Sequence, residues 1–239
     1  MAQATAWTTY RVPDALLSDT EESVVGTEWH QEAIGALADM LREVKRRRGA
    51  SWGVCEGIAL LGLQHVNGTA YDPRPDVMVL RRPLPSGRMS SIPLSEAGAP
   101  LFVAEVASAS TVRNDVGDKQ HAYAAIGVPE YLVFDPDGDQ LPAVIQAWRM
   151  EGGMYVLWEP QADGTWYSTS LEVTIEPTQP FLGVRDRDGR RIESSPIVRA
   201  QCDRLEAQLN MVEQARAEEA RRRIELEEEL RRLRPEQDG

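Results

Sequence analysis

Apolar residues recur at three- and four-residue spacing through residues 27–48, where Ile34, Leu37, Ala38, Leu41 and Val44 form one stripe. The spacing predicts a helix, with Thr27 as N-cap and Gly49 as its stop. Short apolar runs predict strands over 52–63, bending at Gly57, over 76–80, led in by Pro75 with Asp76 as first residue, over 101–107, and over 131–134, ended by Asp135-Pro136. Between the last two, Ser108-Ala109-Ser110-Thr111 supplies N-cap chemistry for a helix over 112–126 that stops at Gly127. Residues 101–136 therefore read as strand, helix, strand, and the rest of the chain is organised around them.

The remaining segments are shorter. Residues 81–99, rich in Pro, Ser and Gly, predict a long loop. Segments 143–150, 154–158, 166–169 and 171–175 predict an antiparallel meander with turns at Gly152-Gly153 and Asp163-Gly164. Trp148, Tyr155, Trp158, Trp166 and Tyr167 fall in it and read as packing. A base-stacking platform interleaves several cations, and Arg149 is the only one here. Turns are also expected at Asn67-Gly68 and Asp188-Gly189. The predicted organisation is an N-terminal arm over 1–26, an α/β domain over 27–182, a linker over 183–196 and a helical tail over 197–239.

The tail reads as one long charged helix over 197–234. Cys202, Leu205, Leu209 and Val212 fit a heptad seam, and Leu226, Leu230 and Leu233 resume it. Arg216, Glu219 and Arg223 occupy the seam between them, so the coiled coil is interrupted or changes face. Pairing into a homodimer, docking on another coiled-coil partner, and a solvated helix laced by Glu–Arg pairs are all compatible with this pattern.

Charge narrows the function. The chain holds 26 basic and 38 acidic residues, a net charge of −12. That argues against binding nucleic acid through bulk charge, because phosphate is neutralised by Lys and Arg, but leaves room for a local basic groove. Lys45-Arg46-Arg47-Arg48 ends the first helix; a solvated cationic last turn is favoured over a phosphate patch. Cys55 and Cys202 form no CxxC pair, which argues against a disulfide scaffold or zinc site and fits a cytoplasmic protein. No secretory signal opens the chain, and no apolar run is long enough for a membrane span.

One residue breaks the 101–107 run: Glu105. A carboxylate in a buried strand is costly unless a lysine, a hydrogen-bond network or a metal ion compensates it. Asp76 stands at the mouth of a neighbouring strand, and Asp115 and Lys119, four apart, share a helix face that Tyr123 continues. Two carboxylates on adjacent strands suit Mg²⁺, to which the Val106 backbone carbonyl would add a ligand. Such a metal activates water and stabilises phosphoryl charge, with Lys119 orienting the water or the phosphate. The same spacing also describes a buried structural ion pair.

Arg74-Pro75-Asp76-Val77, the Val-Ala-Glu-Val-Ala-Ser run of 103–108, Ser110-Thr111, Asp115, Lys119, Tyr123, Gly127-Val128 and the Glu-Tyr-Leu-Val-Phe-Asp-Pro run of 130–136 occur in that order. Together they resemble the Uma-two family of restriction-endonuclease-like proteins, within the PD-(D/E)XK nuclease superfamily. The likeness covers 20–182 and is densest at 72–136. It implies a restriction-endonuclease-like core, a mixed central sheet flanked by helices, carrying an antiparallel β extension and the long C-terminal helix. It also implies Mg²⁺-dependent (or Mn²⁺-dependent) endonuclease cleavage of DNA. Asp76 and Glu105 match the family's acids. The superfamily's lysine two residues after the second acid is replaced by Ala107, and Lys119 on the following helix stands in for it. His30 and Asp115 match family positions, with supporting roles implied for them and for Tyr123. The family's Glu-Leu-Ile-Asp-Gly opening is absent; Glu22 and Gly26 only echo it. The alternative reading is a catalytically silent nuclease-fold scaffold acting through its C-terminal helix.

Overall fold

A computed structural model describes residues 28–65, 69–84 and 89–194, and in the tail Met211, Val212, Arg216, Glu218, Glu219, Arg221, Arg222, Arg223 and Leu226. The chain divides into two units, Met1–Ser195 and Pro196–Gly239. The described tail positions are helical and exposed. The N-terminal arm, the Thr27 cap, the Asn67-Gly68 turn and the continuity of the tail helix lie outside the described residues.

Among the described residues the first element of the first unit is helix α1, Glu28–Arg48. Its apolar stripe is buried, with Leu37, Met40, Leu41 and Val44 at most 2% exposed. There follow β1 (Gly53–Glu56), β2 (Ala59–Leu61), β3 (Leu63–Gln64), β4 (Ala70–Tyr71), β5 (Val77–Leu80), β6 (Ser91–Pro93), the short helix α2 (Leu94–Ala97) and β7 (Phe102–Val106). A helical stretch comes next: α3 (Val112–Asn114), a π-helical turn (Asp115–Lys119) and α4 (Gln120–Ala125). Then come β8 (Glu130–Phe134), β9 (Ile145–Glu151), β10 (Met154–Leu157), β11 (Trp166–Ser168), β12 (Val173–Glu176), β13 (Gly183–Arg185) and β14 (Arg191–Ile192).

The central sheet has six strands in the order β1-β5-β7-β8-β9-β10. Every pairing is antiparallel except β7 with β8, which the helical stretch connects as a parallel crossover. All residues of β5, β7 and β8 are buried, as befits strands covered on both faces. Met78, Val103, Tyr131 and Val133 face a core shared with Ala122, Tyr123 and Val128, while α1 packs against β1, β5 and β7. The sheet is thus the mixed, helix-flanked sheet expected.

Several expectations are corrected. The single strand over 52–63 is three short ones. Gly57 and Gly62 take positive φ (57° and 101°), so the chain turns out of β1 and again between β2 and β3. β1 joins the central sheet, β2 pairs in parallel with β6, and β3 pairs with β4. The loop expected over 81–99 contains β6 and α2, whose Ile92 and Leu94 join Leu60 in the core. The meander splits: β9 and β10 extend the central sheet, whereas β11–β14 form a separate four-stranded antiparallel sheet. The linker over 183–196 is in part β13 and β14. Its apolar residues Val184 and Ile192 are fully buried, outweighing its polar composition.

Candidate active site

The register of the central sheet brings the acids together. β5 pairs with β7 as Val77↔Ala104, Met78↔Val103 and Val79↔Phe102. One step further along the same ladder sets Asp76, just before β5, opposite Glu105. The Asp76 amide donates to Glu105 Oε2 (3.1 Å), and the Val106 amide donates to Asp76 Oδ2 (2.8 Å). Glu105 is wholly buried, while Asp76 is part-exposed, so the pair reaches solvent through Asp76.

The helical stretch supplies the rest. Lys119 Nζ lies 3.3 Å from Glu105 Oε2 and 3.0 Å from Asp115 Oδ1. Tyr123 Oη donates to Glu105 Oε1 (2.9 Å), and Tyr131 Oη donates to the Asp115 carbonyl (2.7 Å). In a regular α-helix Asp115 and Tyr123, eight apart, would sit about 80° out of phase, at about 100° per residue. The π-turn between them spends more residues per revolution and brings both to one face. Asp115, Lys119 and Tyr123 are all at most 4% exposed.

Burial, then the neighbouring carboxylates, dominates the electrostatics. Desolvation pushes Glu105 well above the usual carboxylate range; Lys119 opposes this and Asp76 and Asp115 add to it. Desolvation likewise raises Asp115, again opposed by Lys119. Burial disfavours the Lys119 ammonium, but Glu105, Asp115 and Asp76 outweigh it and hold the group well above its ordinary value. Burial and the Glu105 charge keep the Tyr123 phenol protonated as a donor. Three carboxylates thus face one ammonium. Such a cluster, made of oxygen donors, suits a hard divalent cation. Among the described residues no three His, Cys, Asp or Glu side chains form a ready ligand set. A divalent cation bound here would have the carboxylates of Asp76 and Glu105 to take, and would need backbone oxygen and water for its other ligands.

Of the residues singled out by sequence, Asp76, Glu105, Val106, Asp115, Lys119 and Tyr123 are brought together. Val106 enters through its amide. His30 is buried in the first turn of α1, and the contacts just described do not include it. The cationic end of α1 is taken up by acids: Arg46 and Arg47 bind Glu43, and Arg48 binds Glu172. Among the buried carboxylates that sequence reasoning missed are Glu130 and Asp135. Glu130 accepts hydrogen bonds from the Ser168 and Thr169 hydroxyls and from the Thr169 and Ser170 amides. Asp135 accepts from the Gly138, Gln140 and Leu141 amides. The signal was an acid bounding each end of an apolar run, which also describes an ordinary exposed strand end.

A family model described as "Putative restriction endonuclease", that of the Uma2 family, matches residues 10–176. This class of protein is the one the motif order had suggested. The match spans more than half of the chain, so the chain belongs to the Uma2 family. Among solved structures it is similar to one described as a "putative nuclease belonging to DUF820" from Anabaena variabilis ATCC 29413. The two are 14% identical over 57% of this chain and 71% of that one, with a TM-score of 0.41. No curated protein matches the chain. Among the described residues no helix is long and apolar enough to cross a membrane.

Proposed function

We propose that this chain is a metal-dependent nuclease of the PD-(D/E)XK type that hydrolyses DNA phosphodiester bonds internally. The observation that carries the reading is the meeting of part-exposed Asp76 and buried Glu105 across one ladder step, with the Lys119 ammonium 3.3 Å from Glu105. Family membership is consistent with it. Asp76, Glu105 and the Val106 carbonyl would hold Mg²⁺ or Mn²⁺, which when bound supplies Lewis acidity toward water and the phosphoryl oxygens.

The chain's own residues do the following. Lys119, held charged by its carboxylate neighbours, acts as a fixed positive charge toward a non-bridging phosphoryl oxygen and not as a base. Asp115 holds that ammonium in place as a positioning residue. Tyr123 fixes the Glu105 rotamer by occupying Oε1, while Oε2 meets Lys119 and the Asp76 amide. Hydrolysis adds water at phosphorus, breaks one P–O ester bond and returns a proton to the departing oxygen. A second copy of the chain would place a second site on the opposite strand of a duplex.

The test incubates purified protein with plasmid, linear and single-stranded DNA in Mg²⁺ or Mn²⁺, beside Glu105→Ala and Lys119→Ala. Cleavage by the parent protein and not by the variants supports the proposal. No cutting of any substrate, together with no calorimetric metal binding, sinks it and leaves a silent scaffold.

A further inference from the structure

β10, Met154–Leu157, forms one edge of the central sheet and, among the described residues, pairs with β9 alone. The directions of its backbone groups follow from two hydrogen bonds. The Trp158 amide donates to the Ala147 carbonyl (2.9 Å), and the Met150 amide donates to the Pro129 carbonyl (2.8 Å). Hydrogen-bonded and non-hydrogen-bonded pairs alternate along an antiparallel ladder. Carried back along the β9–β10 register, this alternation aims the amides and carbonyls of Val156 and Met154 at β9, and those of Tyr155 and Leu157 outward. Among the described residues nothing pairs with the outward groups.

An open edge is ordinarily blunted by charge, by proline or by a covering segment. The opposite edge of the central sheet, β1, carries Glu56 in its ion pair with Arg42. In the second sheet, β14 carries Arg191, 3.6 Å from Glu193, and β11 leads into the 168–170 segment bound to Glu130. Residues 154–158, Met-Tyr-Val-Leu-Trp, contain neither charge nor proline, in a chain of net charge −12. Apolar side chains stand open on both faces of the strand: Leu157, 51% exposed, on one and Met154, 71% exposed, on the other. The strand is also held firm from behind. Tyr155 and Trp148 both stack on Tyr131, with ring centroids 6.3 and 5.4 Å away, so a partner has little left to order.

We infer that β10 pairs antiparallel with β10 of a second copy of this chain, about a two-fold axis through Val156. Tyr155 of each copy then stands opposite Leu157 of the other, and their outward amides and carbonyls make about four hydrogen bonds. The two Val156 residues meet at the non-hydrogen-bonded position between them. A register one residue away would set outward groups against groups already turned to β9. Centring the pair on Tyr155 would draw in the turn residue Gly153, at φ 86°, and centring it on Leu157 would draw in the charge of Glu159. The occupant is a second copy because this strip carries none of the chain's negative charge and so meets its own counterpart without repulsion. The contact is self-complementary and closed, as a two-fold interface must be. Its axis stands perpendicular to the sheet, so both copies turn the face that carries Glu105 the same way. The inference goes beyond the nuclease reading and does not depend on it.

The test uses the full chain. In a Cys202→Ser background, where the other cysteine, Cys55, is buried, Val156→Cys should cross-link two copies under mild oxidation. Directly opposed non-hydrogen-bonded Cα atoms lie about 4.5 Å apart, within disulfide reach. Arg187→Cys, exposed in the turn between β13 and β14, should not cross-link. By light scattering the parent should move from 26.6 kDa toward twice that mass as its concentration rises. Leu157→Pro removes an outward amide and no bond to β9, and Leu157→Lys sets a charge on the edge. Both should keep the parent's far-ultraviolet circular dichroism and stay at the single mass; where either loses that spectrum, the Val156→Cys result decides. A parent that stays at the single mass overturns the inference and leaves the edge to a different chain. Leu157 variants that associate as the parent does overturn it in favour of another surface, such as the tail. Val156→Cys that cross-links no faster than Arg187→Cys overturns it as well, whatever the cleavage assay shows.

Discussion

Glu105 and Glu130 are buried carboxylates on adjacent parallel strands, β7 and β8, and they are compensated in opposite ways. Glu130 is surrounded by neutral donors, two hydroxyls and two amides from the 168–170 segment, and ties the four-stranded sheet to the central one. Glu105 also accepts from two neutral donors, the Tyr123 hydroxyl and the Asp76 amide, but it shares its surroundings with the carboxylates of Asp76 and Asp115 and with the Lys119 ammonium. Fixed dipoles satisfy a buried anion and make it structural. A crowd of like charges leaves it in need of a cation, which is what a metal or phosphate chemistry requires. Burial of an acid alone therefore says little; the identity of its compensators separates the two roles.

The sharpest way to break this contrast is to neutralise each acid. Glu105→Gln should lower DNA cleavage by about 10³-fold or more while the chain stays folded, because Asp115 still pairs the Lys119 ammonium. Glu130→Gln should do the reverse. Cleavage per folded molecule should persist, while urea denaturation shows a loss of about 1–3 kcal/mol as the new amide meets donors. A folded Glu130→Gln that no longer cuts would erase the distinction. Next in size, Lys119→Ala should cost about 3–5 kcal/mol in the same denaturation assay, since it strands buried carboxylates.

A smaller effect is expected with pH. Glu105 and Asp115 are raised from ordinary values of 4.5 and 3.8, so the folded chain holds protons that the unfolded chain has lost. In EDTA their contribution to stability should therefore fall as pH climbs from those ordinary values through the raised ones, by at most about 1.4 kcal/mol per pH unit for each group. Lys119, raised from 10.5, loses its contribution only above that value. Mg²⁺ bound by the folded state should flatten the decline. Scanning calorimetry from acid to neutral pH, with and without Mg²⁺, reads both, and a midpoint that rises steadily with pH in EDTA would contradict the charge imbalance. Smallest of all, Tyr123→Phe removes one donor from Glu105 and should cost about 1 kcal/mol, with cleavage reduced far less than by Glu105→Gln.

The parts of this site visible in the sequence were those with a local signature. Glu105 interrupts an apolar run, Asp76 follows a proline at a strand mouth, and Asp115, Lys119 and Tyr123 recur at four-residue spacing. Their convergence depends on the β5–β7 register, which no single segment encodes. The strand–helix–strand unit at 101–136 was legible because its period changes where the structure changes. The three strands within 52–64 were not, because the turns at Gly57 and Gly62 become decisive only once β2 and β3 find different partners. Val184 and Ile192 were lost among polar neighbours, since their burial depends on the sheet built by β11 and β12.

The π-turn has one more consequence. It carries a surplus residue relative to an ordinary helix, so the ammonium's angular setting is a matter of counting as well as chemistry. Excising Gly117, whose position has open space around it, would let the segment rewind like a screw and swing Lys119 away from Glu105 with every site side chain still present. Changes in length between Asp115 and Lys119 should thus silence this centre as surely as replacing an acid.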